Sequence, residues 1–285
     1  MPRISIAVPN MTGKEAEYAA DAVASGSPRM GAYVKLFEEM VAKACGAEWC
    51  VATTTGTAAL HLAMVMAGFT GKQLSAPDWT FVAAGNVMAQ IGATAVYRDD
   101  DLDHDGAWYE EIGTAWPTVV DAAPAVGAFG DQLDIGSMAC LSFNGNKTIT
   151  TGQGGAIVGN NGPLLTALRY QMVPREGGQF NYAMANINAA VGVAQMERLD
   201  EFLAKKQAIW MRYLDAGIDV LDVGESRWMS LSPLYPDKIG RFRHAGIEVK
   251  RFWKRAGGHT PPIFCLPCST NLTEKDQDEV IKVLT

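Results

Sequence analysis

Apolar runs of strand length alternate with amphipathic segments of helix length through most of the chain, and this alternation limits the fold more than any other feature. Trp49–Thr53, Gln73–Ala76, Ala93–Tyr97, Thr118–Asp121, Ala139–Phe143 and Gly155–Gly159 read as strands. Lys14–Ser25, Val34–Cys45, Ala58–Ala67 and Phe81–Ile91 read as helices. Thr12 is the expected N-cap of the first helix, whose Ala16, Ala19, Ala20 and Val23 share a side and which Gly26 ends. The second turns Leu36, Phe37, Met40, Val41 and Ala44 inward and closes at Gly46. Thr118-Val119-Val120-Asp121 is apolar on both sides and ends in an acid, which suits a buried parallel strand. Such alternation implies an α/β fold with both faces of the sheet covered by helices. Ligands of such sheets sit at the carboxyl ends of the strands.

From Asn186 to Tyr213 the apolar spacing predicts one long helix, straight or bent, and Thr273 caps a closing helix to Leu284. The domain boundary is placed near that long helix, giving a large domain over 1–205 and a small one over 206–285. With 48% hydrophobic residues, the chain can fill a sizeable core. A net charge of −7 argues against a general nucleic-acid binder, which needs a basic face. No apolar run reaches the ~18–20 residues of a membrane span, and the N-terminal residues lack a secretory pattern. Five cysteines, an odd number, fit a reducing compartment, so a cytoplasmic location is expected. Cys265 and Cys268 form a C-x-x-C that reads as coincidental, with no second ligand pair nearby. The four histidines have no ligand-spaced partners, so no metal is assigned, and His61 reads as a half-buried structural residue. Asp99–Asp105 reads as a solvated acidic turn. The basic run from Lys238 to Arg255 reads as solvated surface, or alternatively as a contact for a nucleotide diphosphate.

Three motifs carry chemistry. Thr55-Gly56-Thr57 lies between a strand and a helix, where free backbone N–H groups can hold an anion; an ordinary helix start is the alternative. Asp121 ends a buried strand, where a carboxylate needs a partner: a loop hydrogen bond, or a protonated heterocyclic nitrogen. Lys147, in Ser142-Phe-Asn-Gly-Asn-Lys147, precedes a glycine-rich turn; it is either a surface lysine or a partly desolvated amine able to form a Schiff base. An aromatic segment, Trp79-Thr80-Phe81, lies between the first two motifs. In this order, phosphate cradle, aromatic face, acid and lysine match the needs of pyridoxal phosphate.

On these residues the chain resembles the DegT/DnrJ/EryC1/StrS family of pyridoxal phosphate-dependent sugar aminotransferases. The likeness runs through Thr55-Gly-Thr-Ala-Ala-Leu-His-Leu-Ala63, Val120-Asp-Ala-Ala-Pro-Ala-Val-Gly127, Ser142–Lys147 with Gly154-Gly155, and Asn181–Ala190. The resemblance implies the fold-type I, aspartate-aminotransferase-like architecture: a mixed, mostly parallel sheet between helices and a small C-terminal α+β domain. It implies that Lys147 binds the cofactor covalently and shuttles protons, and that Asp121 pairs with the pyridine nitrogen. Phe81, with Trp79 as its alternate, would stack on the ring, and Gly56, Thr57 and Ser142 would hold the phosphate. Asn181 would reach the phosphate of the other subunit's cofactor, making a homodimer with shared active sites. Glutamate and a keto-sugar nucleotide are the implied substrates, in bacterial glycan pathways. The Ser-Phe-Asn-Gly-Asn-Lys form is nearest to members acting at the 4-keto carbon of UDP-linked dideoxy sugars.

The chain departs from the family pattern in three places. Pro124 stands where the family carries Gln or Glu, Ala183 where it carries Arg, and Asp103–Pro117 is too short for the usual helix and strand. A non-catalytic or regulatory cofactor-binding homologue is therefore the alternative reading.

Overall fold

The computed structural model describes residues 3–29, 31–77, 80–98, 107–111, 117–127, 137–172, 177–221, 229–234, 236–251 and 262–285. Its elements begin with α1 (Glu15–Ala24), α2 (Ala32–Ala44), β1 (Trp49–Thr53), α3 (Gly56–Met66), β2 (Gln73–Pro77), α4 (Val82–Gln90) and β3 (Thr94–Arg98). There follow β4 (Ala107–Glu111), β5 (Thr118–Asp121), β6 (Met138–Ser142), β7 (Gly155–Gly159), α5 (Gly162–Gln171), α6 (Asn186–Met196) and α7 (Leu199–Asp215). The chain closes with β8 (Ser230–Pro233), α8 (Pro236–His244), β9 (Lys250–Arg251), β10 (Ile263–Leu266) and α9 (Glu274–Leu284).

Seven strands form one sheet in the order β1-β7-β6-β5-β4-β2-β3. Five of them run the same way, and only β4 and β7 are reversed. Side chains on a strand alternate between faces, and the core divides accordingly. Val51, Val119, Met138, Cys140 and Ile157 pack against α3, α4 and α5. Their neighbours Cys50, Ala52, Val120, Ala139, Leu141, Ala156 and Val158 face α2, α6 and α7. The central strands are therefore apolar at successive residues, as a sheet covered on both sides requires.

Within Asp103–Pro117, the stretch read as too short for the family's usual helix and strand, the chain forms β4. β4 pairs antiparallel with both β2 and β5. A parallel connection needs a crossover of about a dozen residues or more. The chain has only residues 112–117 between β4 and β5, so the strand enters reversed.

Three local expectations need correction. The long helix from Asn186 is broken into α6 and α7 at Glu197-Arg198. Arg198 leaves helical geometry (φ −113°, ψ 11°). Its guanidinium is drawn to Asn10, Thr12 and Glu201 and lies 4.7 Å over the Phe202 ring. Thr12 consequently does not cap α1; its hydroxyl donates to Asn10 Oδ1 and accepts from Arg198, and Lys14 holds the cap position. On α2, Leu36 is 42% exposed, opposite the buried face of Phe37, Glu38, Val41 and Ala42. Glu38 goes inward because it is satisfied there: its carboxylate accepts from Ala52 N–H (2.8 Å) and from Arg169 (2.7 Å). This ties α2 and α5 to β1.

Beyond α7, β8, β10 and β9 form a separate antiparallel sheet flanked by α8 and α9. Thr273 caps α9 as expected, in a reciprocal box with Asp276. The N-terminal residues join this part: Ile4 bridges to Ile247, Ile6 accepts from Cys268 N–H, and Val8 accepts from the Ser269 hydroxyl.

Candidate active site

The carboxyl ends of β1, β5 and β6 meet at one edge of the sheet, where β7 begins with Gly155 opposite Ser142. At the end of β1, the Thr53 hydroxyl donates to Thr55 O (3.0 Å), and Thr55 Oγ1 accepts from Ala58 N–H (2.9 Å). This cap starts α3 at Gly56, two residues before the apolar spacing predicts. The turn is pressed onto its neighbours. A Cβ on Gly56 would meet Ser142 Cβ at 2.7 Å, and one on Gly155 would meet the Thr55 carbonyl and Gly56 N at 2.4–2.5 Å. Gly56 and Ser142 are thus in contact, with exposed Thr57 next along the helix. The result is a backbone cradle at a helix N-terminus, suited to a phosphate. Gly155→Ala pushes against backbone and is expected to cost about 1–3 kcal/mol. It should also weaken cofactor affinity, both checked by denaturant melts and cofactor titration.

Asp121 is the last residue of β5 and is buried, with Oδ1 accepting from Ala123 N–H (3.1 Å). Burial pushes its carboxyl above the ordinary carboxylate range, while the Ala123 N–H and the charge of Lys147 hold it back. Lys147 lies in the turn after β6, its N–H on Asn144 O (2.9 Å). That turn is closed by Phe143: its carbonyl accepts from Thr151 N–H and the Thr150 hydroxyl, and its own N–H donates to Gly154 O. Burial lowers the Lys147 pKa, and the charges of Asp121 and Cys265 resist that shift. Asp121 is buried and Lys147 half-buried, and the charge of each opposes the shift that burial imposes on the other. A lysine so placed gives up its proton more readily than one in water.

Lys147 shares a cleft with Asn10, Thr150, Gln195, Lys206 and Thr270. Gln195 organises it: Oε1 accepts from Thr150 N–H, and Nε2 donates to Asn10 O and Glu15 Oε1. Lys206 was not singled out from the sequence. It is buried on α7 and donates to Cys268 O (3.1 Å). Its signal was a lysine inside the apolar stripe Phe202, Ile209, Trp210 and Tyr213.

The remaining expected residues lie further out. Phe81, 45% exposed, stands at the N-cap of α4 beyond the end of β2. Asn181 is exposed; the next carbonyl, Tyr182 O, accepts from Thr54 N–H (2.7 Å), and Ala183 bridges to Thr53. Asn181 therefore sits beside the cradle turn of its own chain. Pro124 lies in the turn after Asp121, whereas Trp79 and the acidic stretch Asp99–Asp105 fall outside the described residues. His61 is half-buried, within 3.2 Å of the Tyr182 hydroxyl and edge-on to Phe180, which agrees with its structural reading.

The chain matches the sequence profile of the DegT/DnrJ/EryC1/StrS aminotransferase family over residues 9–106 and 110–222. It is 33% identical over 256 residues to a GDP-perosamine synthase of Caulobacter vibrioides, a match covering 73% of this chain and 68% of that one. With EpsN of Bacillus subtilis it shares 29% identity over 373 aligned positions, covering 99% of this chain and 95% of the other. That alignment is longer than the chain's 285 residues, so EpsN carries internal segments that are trimmed here. The crystal structure of DesI with its TDP-sugar product superposes with a TM-score of 0.79 at 21% identity, covering 95% of this chain and 88% of that one. With the cradle, the acid and the lysine in place on this fold, the chain belongs to the DegT/DnrJ/EryC1/StrS family and is a pyridoxal phosphate-dependent aminotransferase of fold type I.

Proposed function

We propose that Lys147 and Asp121 are the catalytic pair of a transaminase that moves the amino group of glutamate to a keto sugar linked to a nucleotide, in glycan biosynthesis. The observation that carries this reading is that buried Asp121 and half-buried Lys147, of opposite charge, stand at neighbouring strand ends beside a glycine-floored cradle. Pyridoxal phosphate, when bound, supplies an aldehyde for amine exchange and an electron sink. Gly56, Thr57 and Ser142 would hold its phosphate, Phe81 would stack on its ring, and Asp121 would keep its ring nitrogen protonated. Lys147 Nζ would anchor it until the donor's amine displaces the lysine, and the freed amine would then take the proton from the donor's α-carbon and return it one atom away. By holding the ring nitrogen protonated, Asp121 would place a positive charge where the electron pair develops during that transfer.

Relatives named GDP-perosamine synthases and the TDP-sugar product of DesI support an activated sugar as acceptor. Those names carry GDP and TDP rather than UDP, and the acceptor proposed is a keto sugar on a nucleoside diphosphate. Lys250 and Arg251, exposed on β9, are the part of the basic run that would meet a sugar nucleotide's diphosphate. Asn181 reaches the phosphate of the other subunit's cofactor in a cytoplasmic homodimer. The large unit spans 1–205 and the small unit 206–285, with residues 3–9 bound to the latter.

Incubating the loaded enzyme with glutamate alone tests the donor half-reaction. One 2-oxoglutarate per site is expected, followed by turnover on addition of a keto-sugar nucleotide. Pro124 and Ala183 favour the rival reading of a non-catalytic homologue, which predicts cofactor binding with no 2-oxoglutarate release.

A further inference from the structure

One face of α6 carries Asn188, Gly192 and Gln195, at the i, i+4, i+7 spacing of a single stripe. All three meet Thr150-Thr151, the stretch that follows the Lys147 turn. Asn188 Nδ2 donates to Thr151 O (2.8 Å), and Gln195 Oε1 accepts from Thr150 N–H (3.2 Å). Between them the helix comes so close that a Cβ on Gly192 would meet Thr151 Cγ2 at 2.8 Å. Gln195 is 1% exposed, and its carboxamide has one workable orientation. Nε2 faces two acceptors, Asn10 O (2.8 Å) and Glu15 Oε1, so Oε1 must take the Thr150 N–H. Gln195 lines the Lys147 cleft, yet both of its amide hydrogens are committed to the chain, so it acts on its neighbours rather than on a ligand.

Thr150 and Thr151 form the neck of the loop that presents Lys147. Across it, Phe143 O accepts from Thr151 N–H (3.0 Å) and from the Thr150 hydroxyl (3.1 Å), and Phe143 N–H donates to Gly154 O (2.9 Å). Inside the loop, Lys147 N–H donates to Asn144 O, and Ile149 is wholly buried. The excursion is thus closed at its neck, and the two carboxamides of α6 hold the neck from outside.

We propose that Asn188 and Gln195 are positioning residues that aim Lys147 Nζ at the cofactor's aldehyde carbon and at the donor's α-proton. This assignment rests on the transaminase reading above. Reacting atoms must sit about 3–3.5 Å apart, and a misplacement of about 1 Å costs on the order of 10²-fold. The neck begins three residues beyond Lys147, so bonds made there govern such shifts without touching the reacting atoms.

The test titrates the full chain with two forms of the cofactor. Pyridoxamine phosphate has an amine in place of the aldehyde, so it fills the cradle without bonding to lysine, whereas pyridoxal phosphate gains from that bond. Asn188→Leu removes only the bond to Thr151 O, and Gln195→Met removes the bonds to Thr150, Asn10 and Glu15. Both variants should bind pyridoxamine phosphate as wild type does and pyridoxal phosphate about 10-fold more weakly. In the loaded enzyme kcat should fall by about 10- to 10²-fold with KM for glutamate little changed. The rate difference between glutamate and α-deuterated glutamate should grow, as proton transfer becomes the slow step. Equal weakening of both cofactor forms, which would mark mere support of the pocket, or a folded variant that keeps wild-type pyridoxal phosphate affinity and kcat, would overturn the proposal. Asn188 is half-buried, so Asn188→Leu settles the matter if Gln195→Met does not fold. The affinity comparison needs no turnover; failure of the transaminase reading shows separately, as wild type that releases no 2-oxoglutarate.

Discussion

Lys147→Ala is expected to lose amino transfer almost completely while the protein stays folded. The loss should exceed the ~10²–10⁴-fold contribution of a positioned acid–base group, because the same amine also anchors the cofactor. Lys206 lines the same cleft, but its Nζ donates to Cys268 O (3.1 Å). The fold should tolerate the change, since burial already disfavours the charged form of Lys147. Steady-state kinetics with glutamate and a keto-sugar nucleotide, beside a thermal melt, check both halves. A variant retaining a tenth or more of wild-type turnover would contradict the role.

Asp121→Asn separates function from stability. The amide is near in shape and can still accept the Ala123 N–H, but it cannot hold a pyridinium proton. Turnover should fall about 10²–10³-fold, the size of losing one preorganised electrostatic contact. Stability moves differently. Burial raises the folded pKa of Asp121 above its ordinary value of 3.8. Between those two values the native state binds more protons than the unfolded state, so wild-type stability declines as pH rises. Compared with the Asn variant, wild-type apoenzyme should be relatively most stable in acid. It should lose ground through the raised pKa and hold a constant difference beyond it. Paired urea melts across that window measure this. A gap that widens in favour of wild type as pH rises would mean that the Lys147 charge outweighs desolvation.

Much of the site was legible because it lies where strand periodicity ends in a polar residue. The bounds of β1, β5 and β7 follow directly from their apolar runs, and Thr55, Asp121 and Lys147 all stand at or just beyond strand ends. The bounds of α9 were equally readable, since Thr273 and Asp276 form a local capping box. What escaped depends on partners distant in sequence. Glu38 takes an inward position on α2 because Arg169, far along the chain, meets it there. The break before α7 follows from Arg198 reaching Asn10 and Thr12. β4 is reversed because the connections around it are short, a constraint of topology rather than of residue pattern. Lys206 acquires meaning only when α7 packs along the cleft that holds Lys147.

The most direct test of the account is to reduce the cofactor-loaded protein with borohydride and locate the added pyridoxyl mass by peptide mapping. One modification per chain, on Lys147, is the expected result. A modification on Lys206 or another lysine, or none at all in protein that binds the cofactor, would contradict the assignment on which the mechanism rests.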